Sequence, residues 1–376
     1  MSRIKSIDVL RGASIWIMVY GHMLQFWIRP EDFWLKYWLY AFLAPLGATG
    51  FLFISGVSST LAYKNNLQTQ KLKLNTMRNA YLLRALFILI IALFFNFGVT
   101  MVFGGGDLAD IWSWNALQTI GISLLLAWPF LNKSKILRLS TAGIAILLNQ
   151  VLLTLLSPYN GQLNFYGIAY HIFFNPIDTY VILNYYGIVL IGSVVGEYIF
   201  DLRNANNHKK KDFLITHRAL LYTFFIGIFV FILGVLYQYP NFIMFNSISS
   251  VLYALGIIIA TLSVLIVMEI FEVIKTKKSY RYLYFYSFYS FTIFLGHNVL
   301  LVLFIGQLNA LWSIWVTVAA FNVILGVLLK LMHNKLGIRA SVKAGISILA
   351  GAIALKIEKK GMLKLQQIEE VEENIN

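Results

Sequence analysis

Apolar residues gather in long unbroken runs near 9–28, 38–62, 80–103, 111–131, 136–157, 179–200, 218–239, 247–270, 283–305 and 311–333. Each run approaches the ~20 residues an α-helix needs to cross the hydrocarbon core of a bilayer. The runs are continuously apolar rather than alternating, which excludes a closed β-barrel. The pattern predicts an all-α fold, a polytopic membrane helix bundle with about ten transmembrane helices. The first run carries Asp8 and Arg11 at its start and has no small-residue cleavage site. It is expected as a retained helix rather than a signal peptide.

The polar connections carry a second period. Arg3 and Lys5 precede the first run; Lys64, Lys71, Lys73 and Arg78 follow the second; Lys133, Lys135 and Arg138 follow the fourth. Arg203, Lys209, Lys210, Lys211 and Arg218 follow the sixth, Lys275, Lys277, Lys278 and Arg281 the eighth, and Lys330, Lys335 and Arg339 the tenth. The intervening loops hold almost no Lys or Arg, Arg29 and Lys36 excepted. Short cytoplasmic loops concentrate positive charge, so the N-terminus is expected inside and the chain in the cell membrane as a multi-pass protein. A further apolar stretch, 340–355, is short and contains Lys343; as a span it would put Lys356, Lys359, Lys360 and Lys364 outside. The expected organisation is a membrane domain over 1–338, an interfacial segment or eleventh span over 339–356, and a charged tail over 357–376.

Composition agrees with this reading: 59% of residues are hydrophobic and 12% charged, and the mean hydropathy is +0.73. So few charges cannot cover a soluble surface of this size. The net charge of +14 does not point to nucleic acid, because the cations sit in short loops between apolar runs. Cysteine is absent, which removes disulfides, a thiolate nucleophile and a cysteine metal site. No H-E-x-x-H or comparable ligand cluster occurs, so no metal is expected.

Ionisable residues inside spans are costly, and each is a candidate for function. Asp8, Arg11 and His22 all lie in the first run. Arg11 and His22 are about three turns apart, so they share a helix face ~16 Å apart along the axis. Asp8 and Arg11 also read as an i,i+3 ion pair anchoring a helix end. His22 reads as a proton-transfer group or as an interhelical hydrogen-bonding residue. His297 lies as far into the ninth run as His22 does into the first, so the two can converge on one site. Arg84 suits either snorkelling to headgroups or gripping an anion.

Gly47, Gly50 and Gly56 suit close helix packing, and Ser55 packing or a site. Asn115 and Gln118 can position a substrate or join helices by hydrogen bonds. The loop 159–178, with Gln162, His171 and Asp178, suits sugar binding or an interfacial aromatic belt. The run 104–107, Gly-Gly-Gly-Asp, lacks the Lys of a phosphate loop.

Ser6-Ile-Asp8-Val-Leu-Arg11-Gly12, followed by apolar residues to Met18-Val-Tyr-Gly-His22, resembles the opening of the heparan-α-glucosaminide N-acetyltransferase catalytic-domain family. It also fits the Arg-x10-His pattern of the wider transmembrane acyltransferase superfamily. Gly50-Phe-Leu-Phe-Ile-Ser55-Gly56, Asn115-Ala-Leu-Gln118-Thr-Ile-Gly121, the stretch 178–196, and Tyr289-Ser290 through His297 follow in family order. The chain departs in having no histidine between Gln25 and Gly47, where lysosomal members carry another, and in Thr119 after Gln118.

The resemblance implies transfer of an acetyl or other acyl group from cytosolic acyl-CoA to a sugar amine or hydroxyl on the other side of the membrane. It casts His22 and His297 as catalytic, and Arg11, Arg78 and Arg84 as contacts to the acetyl-CoA donor. Asn115, Gln118, Asp8, Asn298 and Ser55 are the candidate substrate-binding residues. Neutral imidazole is required of a base, so activity is expected to fall as pH drops below about 6.5. The expected partners are acyl-CoA, a glycan or amino-sugar acceptor and the lipid bilayer, with no nucleic acid; a homodimer is allowed but not required. The rival reading is a proton-coupled transporter or flippase of a glycan or lipid-linked substrate, with the same residues as a proton relay.

Overall fold

The apolar runs fold as helices in the computed structural model, which describes residues 4–43, 45–103, 108–175, 180–205, 212–243, 246–274 and 280–375. The helices are α1 (Lys5–Trp27), α2 (Phe33–Leu43), α3 (Gly50–Thr69), α4 (Leu74–Phe103), α5 (Ala116–Ala127), α6 (Lys135–Leu156) and α7 (Phe165–Phe174). They continue with α8 (Ile182–Ala205), α9 (Asp212–Tyr237), α10 (Ile248–Ile270), α11 (Arg281–Phe288), α12 (Ser290–Leu301), α13 (Ser313–Lys335) and α14 (Val342–Ile375). Among the described residues there is no strand, only an isolated bridge between Ile28 and Leu308.

Among the described residues seven helices are long and apolar enough to cross a membrane, and an eighth span is counted if α11 and α12 are taken together. The ten expected runs differ from this count for local reasons. The first folds as α1, whose Asp8, Arg11 and His22 reduce its apolar character. The fourth is cut short: Asn115 caps α5 at its start, and the Trp128–Phe130 turn containing Pro129 ends it after 12 residues. In the second run, α2 stops before Pro45 and the backbone at Gly47 is non-helical, so the spanning helix begins only at Leu46. The ninth run is α11 and α12, bent by 88° between them.

The bundle is sorted by polarity in the sense the bilayer demands. α3 and α8 lie inside it, and α9 and α13 turn exposed Phe225, Phe229, Val323 and Val327 outward, as lipid-facing helices do. α1 packs against α3, α10, α11, α12 and α13, and buries Ser6, Asp8 and Ser14 among them. Its polar side chains therefore face protein rather than lipid. α3 and α8 approach backbone to backbone: a Cβ added at Gly56 would overlap the Val189 carbonyl, and one at Gly192 the Phe53 carbonyl. Gly50 similarly sits against Ser14, whereas Gly47 has nothing closer than 3.9 Å. Gly56→Ala is expected to force α3 and α8 apart, at a cost of roughly 1–3 kcal/mol. The check is a lower midpoint of thermal unfolding in detergent.

Three cationic markers of the connections turn out to be paired. Arg138 of α6 is fully buried and donates to the Glu197 carboxylate of α8 and, at 3.2 Å, to the Ser193 carbonyl and hydroxyl. Lys64 of α3 reaches the same carboxylate at 2.8 Å, and Lys135 pairs with Asp201 at 2.6 Å. This cluster ties α3, α6 and α8 together.

From Val342 on, the 340–355 stretch forms the first part of α14, a helix laid antiparallel against α4. Ile346, Ala350 and Ala354 form its buried stripe, while Ile348, Leu349 and Leu355 are exposed. Lys343 and Ser347 lie beside Arg84 and Ile88 of α4, and fifteen residues later the Glu358 carboxylate accepts from Thr76 and pairs with Lys73 at 3.2 Å. Those two partners, Thr76 foremost, hold the Glu358 carboxyl below the usual carboxylate range. α14 thus starts beside the middle of α4 and runs back toward the start of α4.

Candidate active site

The site is built outward from α1, whose helical period puts Arg11 and His22 on one face. His22 is half-buried and meets His297 of α12, with His22 Nδ1 2.9 Å from His297 Nε2. The two ring centres are 5.2 Å apart and the planes differ by 19°. That separation is the hydrogen bond plus the two ring radii, so the imidazoles meet edge to edge in nearly one plane rather than face to face. His297 is only 3% exposed. Its Nδ1 lies 2.7 Å from the Phe294 carbonyl oxygen and 3.2 Å from that of Ile293. Both nitrogens of His297 are therefore engaged. His22 retains accessible surface.

Below this pair, Arg11 enters a cavity of about 250 Å³ between α1, α3, α4, α5, α12 and α14. Its polar lining is Arg11, Arg84, Lys343, Ser55, Ser58, Ser59 and Ser347; its apolar lining includes Ile88, Ile120, Leu124 and Phe291. Among the described residues no carboxylate lines it. Arg11 donates to Ser58 and pairs with Asp8 at 3.5 Å. Lys343 donates to the Ser287 carbonyl at 3.1 Å. Three cations and four hydroxyls around apolar walls form a cradle for an anion joined to an uncharged chain.

The candidate residues separate accordingly. Arg11, Arg84 and Ser55 come together in the cavity, and His22 and His297 meet each other. Arg78 lies near the start of α4, exposed and outside the cavity lining. Asp8 does not line the cavity either; it accepts from Ser287 of α11 at 3.3 Å and holds Arg11. Asn298 donates to the Phe294 carbonyl at 3.0 Å, one turn back in its own helix.

Asn115 caps α5 through Leu117 and Gln118, and its amide donates to Asn96 of α4. Asn96 in turn donates to Gln118 Oε1 at 2.9 Å and to the Ile111 and Ser113 carbonyls. These three amides join α4, α5 and the preceding turn. Gln118 is buried, and its Nε2 has no hydrogen-bond partner.

Nothing in the sequence marks Lys343 or the serines at 58, 59 and 347 as site residues. Lys343 was visible only as a cation interrupting an apolar stretch, which bears on whether that stretch spans, not on what the lysine faces. Of the 159–178 loop, α7 presents exposed Phe165 and Tyr166, and Asp178 lies outside the described residues, as do 104–107. Among the described residues no three His, Asp or Glu side chains converge as a metal site would require.

Residues 3–221 match the family model described as heparan-alpha-glucosaminide N-acetyltransferase, catalytic. No curated protein matches the chain. The matched residues include Arg11, His22, Ser55, Arg84, Asn115 and Gln118, and end before His297 and Lys343.

Proposed function

The chain belongs to the heparan-alpha-glucosaminide N-acetyltransferase catalytic family, and from that premise we propose that it is a membrane-embedded acetyltransferase. It takes an acetyl group from acetyl-CoA on the cytoplasmic side and delivers it to a sugar amine or hydroxyl on the other side. The N-terminus lies in the cytoplasm, on the side where Lys71 and Lys73 precede α4. The observation that carries this reading is the cationic cavity lying three turns below His22 on one face of α1.

In this reading, Arg11, Arg84 and Lys343 bind phosphate oxygens of the donor, and the serines and apolar walls line the path of its uncharged arm. His22 accepts the proton of the acceptor amine or hydroxyl as that group attacks the thioester carbonyl. A C–N or C–O bond forms, the C–S bond breaks, and His22 returns the proton to the departing thiolate. Gln118, whose amide nitrogen has no partner while its oxygen accepts from Asn96, supplies an N–H for the acceptor. Asn115 and Asp8 hold the helices that frame the path.

The test is release of free thiol from acetyl-CoA by the purified protein, offered a panel of amino sugars. Acceptor-dependent release is expected. No thiol release and no acetyl-CoA binding would sink the reading and favour transport. The cavity itself is checked by kinetics. Arg84→Ala and Lys343→Ala should each raise KM for acetyl-CoA about tenfold, as loss of a charge-assisted hydrogen bond does, with kcat little changed. Arg78→Ala, outside the cavity, should leave KM near wild type.

A further inference from the structure

Carbonyl oxygens only accept hydrogen bonds, and His297 Nδ1 has two of them, at 2.7 and 3.2 Å, while the Asn298 amide stands farther off at 3.5 Å and donates to the Phe294 carbonyl at 3.0 Å. His297 Nδ1 therefore carries a proton. In the neutral imidazole its Nε2 is then a bare acceptor. The group facing that lone pair at 2.9 Å is His22 Nδ1, which must donate. With Nδ1 protonated, the lone pair of neutral His22 sits on Nε2, the ring edge turned away from His297.

We infer that His297 is a positioning residue that locks His22 in the Nδ1–H tautomer, so that the base of the reaction is His22 Nε2. The inference rests on the acetyltransferase reading for its chemistry, and on the two hydrogen bonds for its tautomer. The rings lie nearly in one plane, so the His297 lone pair points along the His22 N–H. The Phe294 and Ile293 carbonyls, one helical turn back on α12, fix the His297 ring in turn. When His22 Nε2 takes a proton from the acceptor, the imidazolium strengthens its Nδ1–H bond to His297. Charge develops where an acceptor is already aimed. His297 is buried and uses both nitrogens, so it has none left for substrate.

The arrangement predicts a rescue that a merely space-filling role does not. The carbonyl of a glutamine can accept from His22 Nδ1, whereas alanine leaves that proton unpaired and the ring free to turn. His297→Ala should lower kcat on the order of 10²-fold with KM for acetyl-CoA unchanged, as loss of base orientation does. His297→Gln should recover most of that loss. Independently of activity, 15N spectra of histidine-labelled protein should show His22 with a protonated Nδ1 and a bare Nε2, signals being assigned by their loss in His22→Gln. A bare Nδ1 on His22 overturns the inference, as does a folded His297→Gln no more active than His297→Ala. If the protein transfers no acetyl group at all, the spectrum still decides the tautomer, and only the acetyltransferase reading falls.

Discussion

His22→Ala is expected to lower kcat/KM for acetyl transfer by about 10³-fold, within the range that general-base removal spans. The loss should fall on kcat. Acetyl-CoA affinity, which depends on Arg11, Arg84 and Lys343 roughly three turns away along α1, should change less than about threefold. The side chain is only half-buried and its one direct hydrogen bond is to His297, so its truncation leaves no buried charge behind. Thermal unfolding of the variant should therefore stay near wild type. Thiol-release kinetics and acetyl-CoA binding by calorimetry measure the two halves separately. A folded His22→Ala protein that transfers acetyl at the wild-type rate removes His22 from the chemistry. A variant that loses binding but keeps turnover places the histidine in the donor site instead.

The largest effect on stability is expected at Glu197. Its carboxylate is the partner of fully buried Arg138 and also of Lys64. Glu197→Ala leaves the guanidinium inside the bundle with only Ser193 to receive it and Asp201 nearby. Breaking one side of a buried pair costs about 3–5 kcal/mol. Replacing both partners by apolar residues is often close to neutral, because the desolvation penalty of each ion disappears with it. The double variant Arg138→Met with Glu197→Met should thus unfold nearer the wild-type midpoint than Glu197→Ala does. Equal midpoints for Glu197→Ala and the wild type would show that the pair contributes nothing to holding α3, α6 and α8.

These two sites were unequally visible in the chain. His22 stood out because a titratable residue inside an apolar run is expensive, and because Arg11 recurs on its face at helical spacing. Glu197 did not stand out, since Gly196-Glu197-Tyr198 closes an apolar run just before the basic connection. In the sequence, Arg138, Lys64 and Lys135 read as charges marking one side of the membrane. That reading uses only their sign and their place between runs; which carboxylate each one meets is a matter of helix packing.

Local sequence by itself determined the relations that a helix imposes on its own residues. The apolar runs specify helices and a bilayer environment because each run must bury its backbone polar groups within one segment. The 3.6-residue period aligns Arg11 with His22, and Pro45, Asn115 and Pro129 show why two of the runs fold shorter than they read. Relations between helices were decided by tertiary structure alone. His22 and His297 are 275 residues apart, and equal depth in two like-oriented runs does not specify which faces meet or which nitrogen faces which. The 88° bend between α11 and α12 and the return of α14 along α4 bring His297 and Lys343 to a site begun by α1. Contacts of this kind follow from the side-chain packing of many helices at once, and no single stretch of the chain encodes them.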